Sequence, residues 1–409
     1  MASPGKPAAP LSASLPALIM GSATFNSQYN PDPYALPTAS LVHKALAAGV
    51  RAFDTSPYYG PAEELLGQAL DMPFVRDNYP RSSYHLLTKV GRIAAASFDY
   101  SPAWIRRSLA RSLVRLKTPY LDVVYCHDVE FVSADEVLVA VRELRRIRDT
   151  EGTVRYVGIS GYPVDVLCDL AEMILRETGE PLDAVMSFAN FTVQNTRLVS
   201  EGVPRLLAAG VDVVPNASPL GMGLLRRSGV PIGSMGDFHP APVELRQAVS
   251  KASDWTEAQG HKIESIAIQF ALVAWLTDGS PVGSYGELLA PEVAARPPST
   301  QADHTAGLIH GVSVMGVSTV EELEETLSVW RRIIDGLDTG AGKENPEGEH
   351  SSVKSQAEIL KNNRQRILPL VEGIQKILGP QWVNYAWPSP DTGFVNQPPP
   401  AGYDKDTVG

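Results

Sequence analysis

Apolar runs of strand length alternate with amphipathic stretches over most of the chain. The runs lie near residues 17, 51, 85, 122, 155, 183, 212 and 313, and several end on a small, polar or ionisable residue. Between them, apolar positions recur at helical spacing, as in Leu65, Leu66, Ala69 and Leu70, or Val137, Val141, Leu144 and Ile147. The alternation repeats about every 25 to 35 residues, which predicts parallel strands joined by crossover helices. Eight strands fit an α/β fold of the closed (β/α)8 TIM-barrel kind. An open doubly wound sheet is the alternative, but no GxGxxG follows the first strand.

The same pattern divides the chain. Residues 1–14 are rich in Pro, Ala and Ser and predict a flexible N-terminus, with the barrel over 15–335. Helices are predicted over 38–48, 102–116, 134–150, 164–178, 202–209, 242–259 and 263–276, and the segment after Val90, GRIAAASFDYSP, reads as a loop. Residues 222–239 form a Gly-rich loop that either folds over a ligand or simply crosses the surface. Residues 278–310 are weakly patterned and predict a flexible insertion before the last strand. A Gly/Glu-rich linker over 336–353 leads to a helical extension over 354–387, where Trp382, Tyr385 and Trp387 either anchor the chain by burial or line a pocket. A Pro- and Gly-rich tail over 388–409 predicts disorder.

Composition narrows the partners. A net charge of -11 argues against nucleic acid and anionic membrane surfaces. No apolar run reaches transmembrane length, and the N-terminus lacks the apolar core of a secretory signal. The two cysteines, Cys126 and Cys168, form no metal-type cluster and fit a reducing, cytoplasmic setting. The expected partner is a small molecule; oligomeric state stays open.

Three strand ends carry the candidate chemistry. Asp54 closes one strand, with Tyr58 and Tyr59 on the loop that follows; Lys89 closes the next; His127 and Asp128 close the third. Singly, each has a plain use: a loop cap, a packed aromatic, a satisfied core histidine. On neighbouring parallel strands they meet at one rim, where such sheets keep their active sites. Lys89 paired with Asp54 is expected to lower the Tyr59 phenol from its ordinary value near 10, and His127 to orient a substrate oxygen. Tyr59 then serves as acid or base for a carbonyl–alcohol pair. No nucleophile or metal cage accompanies it, so a nicotinamide hydride carrier is implied.

In order and spacing, Asp54, Tyr59, Lys89 and His127 resemble the catalytic tetrad of the aldo-keto reductase superfamily. The flanking FDTSPYYGPAE, TKVGR, YLDVVYCHDVEFV and VGISGYP resemble its branch of fungal D-arabinose 1-dehydrogenases and plant L-galactose dehydrogenases. The resemblance implies an NAD(P)-dependent oxidation of an aldose at C1 (D-arabinose, L-galactose or L-fucose) to an aldonolactone, on the route to erythroascorbate in fungi. It implies substrate contacts from Tyr58, His127 and Asp128. It also implies cofactor contacts from Ser160, Ser187, Asn216, Ser218, Leu220, Gly316, Ser318 and Glu325. Around Ser318 the sequence offers Glu321, Glu322, Glu324 and Glu325 instead of basic residues, which favours NAD over NADP because carboxylates repel a 2′-phosphate. Two positions depart from the family pattern: Asn216 stands where many members have an aromatic residue, and Gly161 where many have Asn. Another aldehyde- or pyridoxal-directed activity, or a cofactor-binding regulatory subunit, is the competing expectation.

Overall fold

The computed structural model describes residues 5–230, 236–290, 308–335, 337 and 349–399, without the side chains of 349–355. In chain order its strands are β1 (Leu18–Gly21), β2 (Ala52–Asp54), β3 (His85–Val90), β4 (Arg92–Ala94), β5 (Ser97–Phe98), β6 (Leu121–His127), β7 (Val154–Gly161), β8 (Ala184–Phe188), β9 (Asn216–Ala217) and β10 (Ser313–Gly316). Its α-helices are α1 (Thr38–Ala47), α2 (Ala62–Leu70), α3 (Pro73–Asn78), α4 (Pro102–Arg115), α5 (Ala134–Glu151), α6 (Val164–Thr178), α7 (Val203–Ala208), α8 (Val243–Ala258), α9 (Ile263–Asp278), α10 (Val320–Ile334) and α11 (Glu349–Leu378). Eight strands close a barrel in the order β1-β10-β9-β8-β7-β6-β3-β2, and every pair in it is parallel. The expected (β/α)8 architecture is therefore present.

Local sequence explains the helix ends. Ser101 caps α4 by accepting from Trp104 N, with Pro102 in the first turn, where its missing N–H costs nothing. Ser133 and Glu136 form a reciprocal capping box on α5, and Gly152 ends it at φ 68°. Side chains alternate across the strands into two cores. Ile19, Leu87, Val123, Tyr125, Met186 and Val314 fill the barrel interior; a larger apolar cluster lies between sheet and helices.

Several expectations change. Strand seven pairs at Asn216–Ala217, with only a lone bridge between Val213 and Ala184 before it, later than the run near residue 212 predicts. Pro215 has no N–H for a ladder at that point. The loop after β3 folds into the antiparallel hairpin β4–β5. The described part of the supposedly flexible N-terminus is a plug. Leu11 and Leu15 are fully buried at the foot of the barrel, the Ser12 hydroxyl donates to Asp212, and the Tyr156 hydroxyl donates to Ala9 O (2.9 Å). The first half of the supposed insertion is also ordered. Tyr285 N donates to Ser12 O (2.7 Å), Ala17 N to Glu287 O (3.2 Å) and Trp330 Nε1 to Leu288 O (2.9 Å). Residues 291–307 lie outside the described residues, as do most of the expected linker and residues 400–409.

The C-terminal extension begins as α11 and packs on α8 and α9, burying Ile367, Val371, Ile374 and Leu378. Residues 379–399 then run over the C-terminal ends of the barrel strands instead of trailing into solvent. Trp387 stacks on Tyr162 (4.6 Å between centroids), and Phe394 packs edge-on against Phe131 (4.9 Å). Shape-matched aromatic burial supplies the order that Pro- and Gly-rich composition alone does not.

The plug is testable. Leu11→Ala is expected to lower unfolding stability by about 2–4 kcal/mol in denaturant titrations, as for other buried leucines. A change within measurement error would mean that the N-terminal segment does not belong to the core.

Candidate active site

The rim at the C-terminal ends of β2, β3 and β6 gathers the three strand-end groups Asp54, Lys89 and His127 with Tyr59 from the loop after β2. Lys89 Nζ donates to Asp54 Oδ1 (2.7 Å) and Thr55 O (2.9 Å) and lies 5.0 Å from the Tyr59 ring centroid. The Tyr59 and His127 rings meet edge to face at 5.7 Å. Both members of the Lys89–Asp54 pair are buried. The second Asp54 oxygen is sealed off with no hydrogen-bond partner among the described residues. Burial pushes Asp54 up, and the Lys89 ammonium pulls it back only in part.

His127 is pinned in place: its Nδ1 lies 3.0 Å from Ser56 Oγ, and its carbonyl accepts from the Tyr100 hydroxyl (2.6 Å). The Tyr100 ring fits over Gly91, whose φ of 99° and missing Cβ allow that close approach. Burial drives the His127 pKa down to about 3 against the opposing pull of Asp128. The imidazole is therefore neutral at physiological pH and able to donate one hydrogen bond.

The expected lowering of the Tyr59 phenol does not occur. Burial, Asp54 and Asp128 push it well above its ordinary value, and Arg92 opposes them. Lys89, for its part, donates to Asp54 and Thr55 O.

Arg92, on the unpredicted hairpin, is the group sequence reading missed. Its guanidinium lies 3.9 Å over the Tyr58 ring, donates to Tyr58 Oη (3.1 Å) and pairs with Asp128 Oδ2. The one sequence signal was a basic residue directly after the strand-ending glycine. Asp128 follows His127 with φ 55°, an uncommon left-handed conformation for a non-glycine residue. Burial alone would raise its carboxyl; His127 and Arg92 bring it net below the usual range. Tyr58 also receives Gln28 Nε2 at 3.5 Å.

Glu130 was likewise given no role. Its Oε1 accepts from Tyr162 N (3.1 Å) and from the Ser389 hydroxyl (3.0 Å). Its Oε2 occupies the space a Cβ at residue 161 would need, which accounts for Gly161. Burial and nearby Asp128 push Glu130 up to about 8.

The expected cofactor residues form an arc across the remaining strand ends. Ser160 donates to Cys126 O (3.4 Å), Ser187 accepts from Asn190 Nδ2 (3.0 Å), and Ser218 follows β9 with φ 56°. Asn216 donates to Phe191 O (3.1 Å), while its Oδ1 is buried and unpartnered among the described residues, a free acceptor for a ligand amide. Leu220 is half-buried in the loop beyond β9. Gly316 is in register with Gly21, and the Ser318 hydroxyl accepts from Asn30 (3.2 Å). Glu325 is not in the arc; it accepts from Ser265 Oγ (2.9 Å) at the start of α9. At the start of α10, Glu322 accepts from Ser318 N (2.7 Å) and pairs with Arg226 (3.3 Å), so a carboxylate already holds that helix end. This polar arc, with its orphaned acceptor, suits the amide and hydroxyl groups of a dinucleotide.

A profile of the Aldo/keto reductase family matches residues 17–336. The D-arabinose 1-dehydrogenase of Saccharomyces cerevisiae is 40% identical over 272 residues, covering 66% of this chain and 79% of that protein. The L-galactose dehydrogenase of Arabidopsis thaliana is 36% identical over 236 residues, covering 57% of this chain and 69% of that protein. The solved glycerol dehydrogenase AKR11B4 from Gluconobacter oxydans superposes with a TM-score of 0.50 at 19% identity, over 88% of this chain and 95% of that one, a likeness of fold alone.

The two shifted groups predict opposite pH limbs. His127 takes up no proton in the folded state until about pH 3, while the unfolded chain protonates it near 6.5, so stability falls as pH drops through that window. Glu130 holds its proton to about pH 8 when folded but loses it near 4.5 when unfolded, so stability falls as pH rises through that window. Denaturant midpoints against pH should show His127→Gln flattening the acid limb and Glu130→Gln the alkaline one. Unchanged limbs would contradict the burial of these groups.

Proposed function

The chain belongs to the aldo/keto reductase family, oxidoreductases acting on CH–OH groups with a nicotinamide dinucleotide, and on that premise we propose that it is an NAD-dependent aldose dehydrogenase. The substrate is a cyclic aldose, D-arabinose first and L-galactose or L-fucose after it, and the product is the aldonolactone, a precursor for an erythroascorbate route. The observation that carries this reading is the convergence of Tyr59, Lys89, Asp54 and neutral His127 on one rim, beside the polar side chains Tyr58, Arg92 and Asp128.

His127 donates a hydrogen bond to the anomeric oxygen and sets its position. Tyr59 takes the proton of the anomeric hydroxyl as hydride leaves C1. The bound nicotinamide supplies the hydride acceptor. Tyr59 must first release its own proton, which burial and two carboxylates retain, so oxidation quickens as pH rises and the reverse reduction finds the phenol already in its donor form. Lys89 and Asp54 fix the floor beneath the phenol. Tyr58 and Asp128 offer groups to the sugar hydroxyls. Ser160, Ser187, Asn216, Ser218 and Leu220 would hold the nicotinamide side, and Gly316 and Ser318 the adenosine side. Glu322 at the start of α10 disfavours a 2′-phosphate and supports NAD over NADP. Localisation in the cytoplasm is part of the same proposal; among the described residues no helix is long and apolar enough to cross a membrane.

Initial rates of reduced-cofactor formation with D-arabinose, L-galactose, L-fucose and pyridoxal, each with NAD and NADP, test the reading. Aldose oxidation with NAD is expected, with Tyr59→Phe slower by about 10²–10⁴-fold and cofactor affinity retained. Turnover of pyridoxal alone would move the protein to another activity of the family. Cofactor binding without any turnover would favour a regulatory subunit.

A further inference from the structure

One part of the rim serves neither hydride transfer nor cofactor binding. The β4–β5 hairpin carries Arg92 back across the site, where the guanidinium is fixed on every side. It packs on Tyr58, Phe98 and Phe131, with its central carbon 3.9, 5.3 and 5.5 Å from the three ring centroids. Nη2 donates to Tyr58 Oη (3.1 Å) and Ala95 O (3.3 Å), Nε to Ala94 O (3.4 Å), and Nη1 to Asp128 Oδ2.

The hairpin is itself held from outside the family match. Asn396 accepts from Phe98 N and donates to Phe98 O, both at 2.8 Å; Gln397 N donates to Ala96 O (2.7 Å); Phe394 packs against Phe98 (6.0 Å). A segment beyond residue 336 thus fixes the loop that carries the guanidinium.

The product of this arrangement is a carboxylate held in one orientation. Asp128 Oδ2 is taken by Arg92, with His127 Nε2 3.6 Å away. Its Oδ1 has no hydrogen-bond partner among the described residues and, unlike the second oxygen of Asp54, is not sealed off. An ionised carboxylate oxygen only accepts, and the donors an aldose ring brings beside C1 are its hydroxyls. Buried without a cation, Asp128 would tend to protonate and lose that acceptor character.

We propose that Arg92 is a positioning residue for sugar recognition: it fixes Asp128 so that the free oxygen accepts a hydrogen bond from a ring hydroxyl other than the anomeric one, and thereby selects hydroxylated substrates. This rests on the aldose reading above.

The test is a cycle of hydroxyl deletion against side-chain change. kcat and KM are measured for the preferred aldose and its monodeoxy analogues, in wild type and in Arg92→Met, Arg92→Lys and Asp128→Asn, with cofactor affinity followed by fluorescence and folding by thermal melts. Wild type should favour the parent sugar over one deoxy analogue by at least about tenfold in kcat/KM, because a site built for a hydroxyl rejects its absence. Arg92→Met and Asp128→Asn should erase most of that ratio, mainly through KM. Arg92→Lys, which keeps the charge but not the planar fork, should restore part of it. A merely structural role would lower parent and analogue alike; an unchanged ratio in the folded variants overturns the proposal, as does a wild type indifferent to every deletion. Wild type that oxidises no aldose overturns the aldose reading instead, a result seen before any variant is made.

Discussion

The site depends on one buried ion pair. Lys89 and Asp54 sit on neighbouring strands, out of water, and each is tolerable there only because of the other. Removing either partner of such a pair costs about 3–5 kcal/mol, chiefly because the other charge is left uncompensated. Their position follows from the barrel: β2 and β3 are paired in register, so two strand-end residues far apart in sequence meet at one rim. The pair also constrains the chemistry. An ammonium spent on a carboxylate and a carbonyl does less for the phenol above it, and burial with the flanking carboxylates holds the Tyr59 proton.

Both ends of the barrel are finished by segments outside the alternating units. At the foot, Leu11 and Leu15 close the interior, and residues 284–288 tie that plug to the last helices. At the rim, the chain beyond α11 crosses Tyr162, Glu130, Phe131 and the β4–β5 hairpin. The first contributes stability far from any chemistry. The second holds loops that carry Arg92 and Glu130, so chain outside the family match reaches the rim beside Asp128 and Tyr162.

The barrel was legible because its signal is periodic: apolar strands and amphipathic helices repeat, and a parallel sheet needs both. Asp54, Tyr59, Lys89 and His127 were legible because ionisable residues end apolar strands, where burial without purpose is costly. Arg92 was not, since a hairpin made of Arg92–Ala94 and Ser97–Phe98 has no length over which alternation can show. The N-terminal plug and the C-terminal crossing were misread for a related reason. Pro-, Ala- and Gly-rich composition suggests disorder, yet a few large side chains such as Leu11, Trp387 and Phe394 suffice to seat each segment against an existing surface. Which way Glu325 faces was not legible either, because one turn of helix decides it, and in the fold it accepts from Ser265 at the start of α9.

The central claim is that Lys89 serves Asp54 before it serves Tyr59. Ultraviolet titration of phenolate in the ligand-free protein, taken as the difference between wild type and Tyr59→Phe, tests it directly. No Tyr59 phenolate is expected up to its ordinary ionisation near pH 10, because burial and the flanking carboxylates hold the proton. A Tyr59 phenolate forming well below that pH would show the ammonium acting on the phenol in the free protein and would contradict the account.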